Sequence, residues 1–172
     1  MSVPSVETPP APGRIDAAAV LVDGVLAGFF ASVVVAAVFL VYDALHGAPL
    51  HTPTVLGTRI FRGLEAAQSA QVDVPIAIAY NAVHFLGFVL GGLLCSYVAA
   101  LVERAPKTWY LGLVAVSFVL AAILYTDAAL DMTGLGRLHL FAAALLGMLT
   151  MGGFLWWRHP GIRAHLEDVW QD

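Results

Sequence analysis

The stretch that decides the fold is residues 75–101, PIAIAYNAVHFLGFVLGGLLCSYVAAL. About 20 helical residues cross the roughly 30 Å hydrocarbon core of a bilayer, so this apolar run is long enough to span a membrane. On a helix, Asn81 and His84 lie on the same side as Gly87, Gly91 and Cys95. Small residues spaced four apart let two helices approach closely in lipid. We therefore expect this side of the helix to contact protein, with Gly87 and Gly91 at the contact.

The composition extends this interpretation to the whole chain. Of 172 residues, 60% are hydrophobic and only 12% are charged, far more apolar than a soluble domain of this length needs. Four apolar runs are long enough to span a bilayer, namely residues 18–45, 75–101, 109–125 and 138–157. The sequence thus predicts an all-α integral membrane protein, a four-transmembrane-helix up-down bundle formed by residues 16–158.

The first predicted span carries its own small residues. Gly24, Gly28 and Ser32 recur every fourth position, which predicts that this helix packs against the second span along that stripe. Asp16 stands where a helix N-cap would, and Gly47 is a good helix stop.

Shorter segments flank and connect the spans. Residues 1–15 form a proline-rich tail, which we expect to become ordered only by contact with another subunit, and residues 159–172 form a polar carboxyl-terminal tail. After the first span, Leu56, Ile60 and Leu64 form an apolar stripe. This pattern predicts a short amphipathic helix at the membrane interface, with Thr52 as its N-cap.

The charges exclude some functions and suggest an orientation. The net charge of −4 includes no basic run, so nucleic-acid binding is not expected, and with Cys95 alone no intrachain disulfide can form. The two tails and the 103–108 turn hold five cations, against three in the opposite loops; these are Arg14, Arg104, Lys107, Arg158 and Arg163 against Arg59, Arg62 and Arg137. This bias favours both termini in the cytoplasm, and we expect the protein to lie in the bacterial cytoplasmic (inner) membrane.

Alternating spans bring several polar residues to the outer face. His84 and His139 lie within apolar runs on helices that point the same way, so the pair can be considered as haem b ligands or as part of a quinone pocket with Asn81 and Tyr125. The loops at the same face supply ligand types suited to zinc or copper, namely His46, His51, Asp43 and Asp127. Alternatively, His84 only forms a hydrogen bond between helices.

Three functions follow from these patterns. No enzyme signature such as a nucleophile elbow or a phosphate-binding loop occurs, so we expect a non-catalytic structural or accessory subunit of a larger membrane complex, without a cofactor, in contact with lipids and other membrane subunits. The first alternative is a redox or ligand-binding protein that uses His84 and His139. The second is a small transporter that uses Asp23, although a carboxylate one or two turns inside a span is also typical of a membrane interface.

Overall fold

A computed structural model describes residues 15–105, 108, 111–112, 114 and 137–169. Within these residues all regular structure is helical, and the longer elements are α1 (Ala17–Leu45), α2 (His51–Arg62), α3 (Leu64–Gln68), α4 (Val74–Arg104), α5 (Arg137–Arg158) and α6 (Pro160–Val169). Three helices, α1, α4 and α5, are long and apolar enough to cross a membrane, which is compatible with an integral membrane protein. The amino-terminal tail (residues 1–14) and most of the predicted third span (109–125) lie outside the described residues.

Both predicted ends of α1 are confirmed. The Asp16 carboxylate accepts hydrogen bonds from the backbone N–H groups of Ala18 and Ala19, at 2.9 and 3.2 Å, and so satisfies two donors that the first turn leaves free. At the other end, Gly47 has a φ of +73°, a left-handed conformation that glycine adopts without steric cost. The chain can therefore turn sharply after α1.

The α1 helix is the centre of the described bundle, because both α4 and α5 pack mainly against it. Gly24 lies beside Leu93, whereas Ser32 lies beside His84, so α4 runs antiparallel to α1. The α5 helix is antiparallel as well, since the ring of Phe154, near the end of α5, lies 5.6 Å from the ring of Phe30. At the other end the ring of Tyr42 lies 4.8 Å from that of His139. Consequently α4 and α5 are parallel to each other.

The backbones of α1 and α4 meet through glycines. A Cβ added at Gly24 would lie 2.6 Å from the Cα of Leu93, and one at Gly28 would lie 2.7 Å from the Cα of Val89, closer than real Cβ atoms approach. On α4 the glycine at this contact is Gly92, which faces the carbonyl of Gly24 and the amide of Gly28. We call these three glycines, Gly24, Gly28 and Gly92, the glycine seam.

The prediction that Gly87 and Gly91 form this contact needs correction. A Cβ added at either residue would meet nothing within 4 Å. Of the two adjacent glycines, Gly92 rather than Gly91 faces α1, and on a helix this difference of one position turns the contact face by about 100°. Gly87 and Gly91 instead lie on a flank of α4 that the described residues leave open.

The α2 helix occurs where a short helix was predicted, but it buries a different face. Residues 52–58 are all buried, while Ile60 and Leu64 of the predicted apolar stripe are about half exposed. Gly57 lies against Ile76 and Tyr80, so α2 packs closely on the first turns of α4. Hydrogen bonds explain why threonines can be buried here, since Thr54 Oγ1 is 3.3 Å from the backbone nitrogen of Asp73.

We expect Gly92→Ala to lower the stability of the protein in detergent by about 1–3 kcal/mol, because its Cβ has no room between the backbones of α1 and α4. Gly153→Ala is the matched control on α5, where an added Cβ meets nothing within 4 Å and alanine favours the helix by up to about 1 kcal/mol. Unfolding in mixed micelles measures both variants. Equal stability of the two would show that the glycine seam does not hold the helices together.

Candidate functional site

Buried carboxylates occur at two levels of α1. Asp23 and Asp43 are 3% and 2% exposed, although the helix around them is apolar. At a rise of about 1.5 Å per residue the two are separated by about 30 Å along the axis, which is close to the thickness of a bilayer's hydrocarbon core. The two carboxylates therefore bracket the apolar part of the bundle, and each is the centre of a polar cluster.

The first cluster joins the beginning of α1 to the end of α5. Arg158 Nε donates a hydrogen bond of 2.7 Å to Asp23 Oδ1. The Asp23 side chain is 5% exposed, whereas that of Arg158 is 43% exposed. The guanidinium thus neutralises a buried carboxylate and still reaches water, an arrangement that costs less than burying both charges.

His159 and Glu103 extend this cluster to α4 and α6. His159 Nδ1 lies 2.9 Å from Glu103 Oε2, and the backbone N–H of Gly161 donates a 2.9 Å hydrogen bond to Glu103 Oε1. This carboxylate therefore contacts the first turn of α6. Residues 159–172 were predicted as a polar tail, but Pro160–Val169 is helical, since proline fits a first helical turn and Glu103 accepts one of that turn's free N–H groups.

The second cluster attaches α2 to the end of α1. Asp43 Oδ2 accepts a 2.7 Å hydrogen bond from the backbone N–H of Thr52, and Asp43 Oδ1 accepts a 2.6 Å bond from the Thr52 hydroxyl. Helix α2 begins one residue before the predicted N-cap Thr52, and the capping carboxylate comes from α1 instead. Asp43 thereby caps α2 although it belongs to α1, and a local sequence pattern does not reveal this contact.

Three of the four residues predicted as metal ligands are described, and these three do not form a group that could hold a metal ion. Asp43 is engaged by Thr52, and His46 Nδ1, just after α1, lies 2.8 Å from the carbonyl of Tyr42 in the last turn of that helix. His51 is half-buried in the first turn of α2, and Asp127 lies outside the described residues. In residues 15–105 and 137–169, no three His, Cys, Asp or Glu side chains form a group that could hold a metal ion.

His84 and His139 occupy different levels of the bundle. His84 Nε2 lies 3.4 Å from the carbonyl of Ser32, whereas His139 packs against the ring of Tyr42. Ser32 and Tyr42 are about 15 Å apart along α1, so the two histidines contact α1 at different levels.

Of the other two residues predicted for this pocket, the structure describes only Asn81. The Asn81 side-chain amide donates a 2.8 Å hydrogen bond to the Ala77 carbonyl of its own helix, and Tyr125 lies outside the described residues. What is observed for His84 is the interhelical contact that the alternative interpretation predicted.

Sequence reasoning missed Arg158 and His159 as partners of Asp23, and Glu103 as a partner of His159. Each lies just beyond or at the end of an apolar run, where charged side chains ordinarily face water. A usable signal existed, since alternating spans bring the start of the first helix and the ends of the second and fourth to one face. No family model, no curated protein and no solved structure matches this chain.

We expect Arg158→Leu to destabilise the protein by about 1–3 kcal/mol, because the buried Asp23 carboxylate would lose its charged partner. Adding Asp23→Leu should recover part of this loss, which a double-mutant cycle in mixed micelles measures. Arg62→Leu is the control, since its 3.4 Å pair with Asp73 is largely exposed and contributes less than about 1 kcal/mol. Additive effects of the Asp23 and Arg158 substitutions would mean that the two side chains do not interact.

Proposed function

We propose that this chain is a non-catalytic, four-span subunit of a larger membrane complex and that it acts by packing against its partners. The observation that carries the proposal is that buried polar side chains contact other parts of the same chain, while the outward surface is apolar. Within the described helices, Asp23, Asp43 and His84 each contact another element of the same chain. The outward faces of the three long helices are apolar.

The internal pairs favour a structural role over transport or redox chemistry. Arg158 Nε binds one of the two Asp23 carboxylate oxygens, Oδ1, at 2.7 Å, and so competes with a transported cation for this carboxylate. His84 contacts Ser32 and His139 contacts Tyr42, so the two histidines meet α1 at different levels, which does not favour a haem held between them. Contacts of this kind are typical of polar side chains that join helices inside a membrane.

The directions of α4 and α5 support a fourth span. These helices are parallel, so Glu103 near the end of α4 and His139 near the start of α5 lie at opposite ends of α1, close to Asp23 and Tyr42 respectively. The intervening chain has to return over about 28 Å, the length of α1 between Asp23 and Tyr42. The apolar run 109–125 has the composition for this crossing.

The open flank of α4 is where we propose that this span packs. Gly87 and Gly91 have nothing within 4 Å of an added Cβ, while the neighbouring Phe88 reaches Gly147 of α5. Gly87 and Gly91 are thus placed beside the groove between α4 and α5, diagonally across from α1. In an up-down four-helix bundle the third helix occupies this corner.

Large apolar side chains on the remaining outward faces provide surface for partner subunits or lipid. On α4 they recur every three or four residues, so they form a continuous stripe; its members are Val83, Leu86, Leu90, Leu94 and Tyr97. Each is at least 46% exposed. Because burial against lipid and against an apolar helix are energetically similar, packing complementarity would select the partner.

Photo-crosslinking in membranes of the native cells tests the proposal. A photoreactive amino acid replaces one outward residue on each long helix, Val33, Leu90 or Leu149, and the control replaces the fully buried Ala31. At least one outward position should give a discrete adduct with another membrane protein, and Ala31 should give none. If all three outward positions react only with lipid, the chain is not a subunit of a complex.

We further expect both termini to face the cytoplasm. In a Cys95→Ala background, Glu65→Cys on α3 should react with a membrane-impermeant maleimide added outside intact cells. Ala164→Cys on α6 should react only after permeabilisation, since α3 and α6 lie at opposite ends of the bundle and both positions are exposed. The reverse pattern would invert the orientation, and labelling of both from outside would contradict an even number of spans.

A further inference from the structure

His159 lies between two carboxylates that come from different helices. Its Nδ1 is 2.9 Å from Glu103 Oε2 on α4, and its Nε2 is 4.0 Å from Asp23 Oδ2 on α1. The imidazole is 9% exposed. Nε2 is buried and makes no hydrogen bond with any described residue.

These surroundings favour a particular protonation state. A carboxylate only accepts hydrogen bonds, so His159 Nδ1 has to carry a hydrogen toward Glu103. In a neutral imidazole, Nε2 would then present a lone pair toward the Asp23 oxygen, and the two acceptors would repel. In the imidazolium, Nε2 carries a hydrogen and its positive charge faces both carboxylates.

The charge balance of the cluster supports the same state. Asp23 on α1 and Glu103 on α4 are negative, and Arg158 on α5 is positive. With a proton on His159 the four side chains sum to zero, whereas without it they carry one negative charge in a largely buried setting. Two further cations occur nearby in sequence, Arg104 after Glu103 and Arg163 on α6, and both are less buried than Asp23.

We propose that Asp23, His159 and Glu103 form a proton-binding site and that the bound proton holds α6 against the end of the bundle. Glu103 is 27% exposed and connects the site to water, while Asp23 is its buried member. The same Glu103 carboxylate accepts a hydrogen bond from the backbone N–H of Gly161, so it contacts both His159 and the first turn of α6. Loss of the proton removes the positive charge that contacts Glu103 and so weakens the contact between this carboxylate, His159 and the first turn of α6.

Histidine is the side chain whose charge ordinarily changes between about pH 5 and pH 8, so the test compares the two sides of that range. Deprotonation moves the cluster from zero charge to −1 and releases α6. The inference does not depend on the proposed role in a complex, since it concerns one end of this chain alone.

Nitroxide mobility on α6 tests the proposal. The probe is a spin label at Ala164→Cys in Cys95→Ala protein reconstituted in lipid nanodiscs. The ratio of mobile to immobile signal should be several-fold higher at about pH 9 than at about pH 5, because the imidazolium that contacts Glu103 is lost. Equal mobility at the two pH values would overturn the proposal.

Two variants identify the responsible group. His159→Gln still donates to Glu103 but cannot gain a proton, so its label should show no pH response. His139→Gln is the matched control at the opposite end of α1 and should keep the response. A response that survives in His159→Gln would assign the effect to another group and overturn the proposal.

A second measurement needs no substitution in the cluster. In protein with ¹⁵N-labelled histidine, one doubly protonated imidazole signal should disappear at the same pH at which the spin label becomes mobile. If every imidazole has titrated at a clearly different pH from the mobility change, the proton on His159 does not hold α6.

Discussion

The contact of the α1 and α4 backbones at the glycine seam is the constraint on which the rest of the structure depends. Inside a bilayer, lipid tails are as apolar as leucine, so helices gain little from hiding apolar surface and associate through close packing. With Gly24 and Gly28 facing Gly92, the two backbones come near enough for many dispersion contacts. Residues on the same side of α1, such as Ser32 and Asp43, are thereby presented to α4 and α2.

Polar interactions complete the bundle at its two ends. Asp43 caps α2 at one end, and Asp23 with Glu103 joins α5 and α6 at the other. The middle is apolar, built around Val35, Phe39 and Ala143. Charges separated by about the thickness of a hydrocarbon core let the protein hold its helix ends together without placing an unpaired charge in lipid.

Local patterns predicted local features well and contacts between helices poorly. The bounds of the three described long helices agree with the apolar runs within a few residues, and Asp16 caps α1 as expected. The choice between Gly91 and Gly92 was wrong because small residues occur on two neighbouring faces of α4. The threonine-lined burial of α2 was missed because its hydroxyls bond to residues outside that helix.

The sequence by itself determined the class of the protein. Three described helices are each long and apolar enough to cross a membrane, and a sequence predicts this directly because length and hydropathy are properties of one segment. Only the tertiary structure decided which polar residues meet. Asp23 and Arg158 are far apart in the chain, and their pairing follows from the antiparallel packing of α5 on α1. The position of His159 between two carboxylates requires three helix ends to converge, and nothing in a local pattern encodes such a convergence.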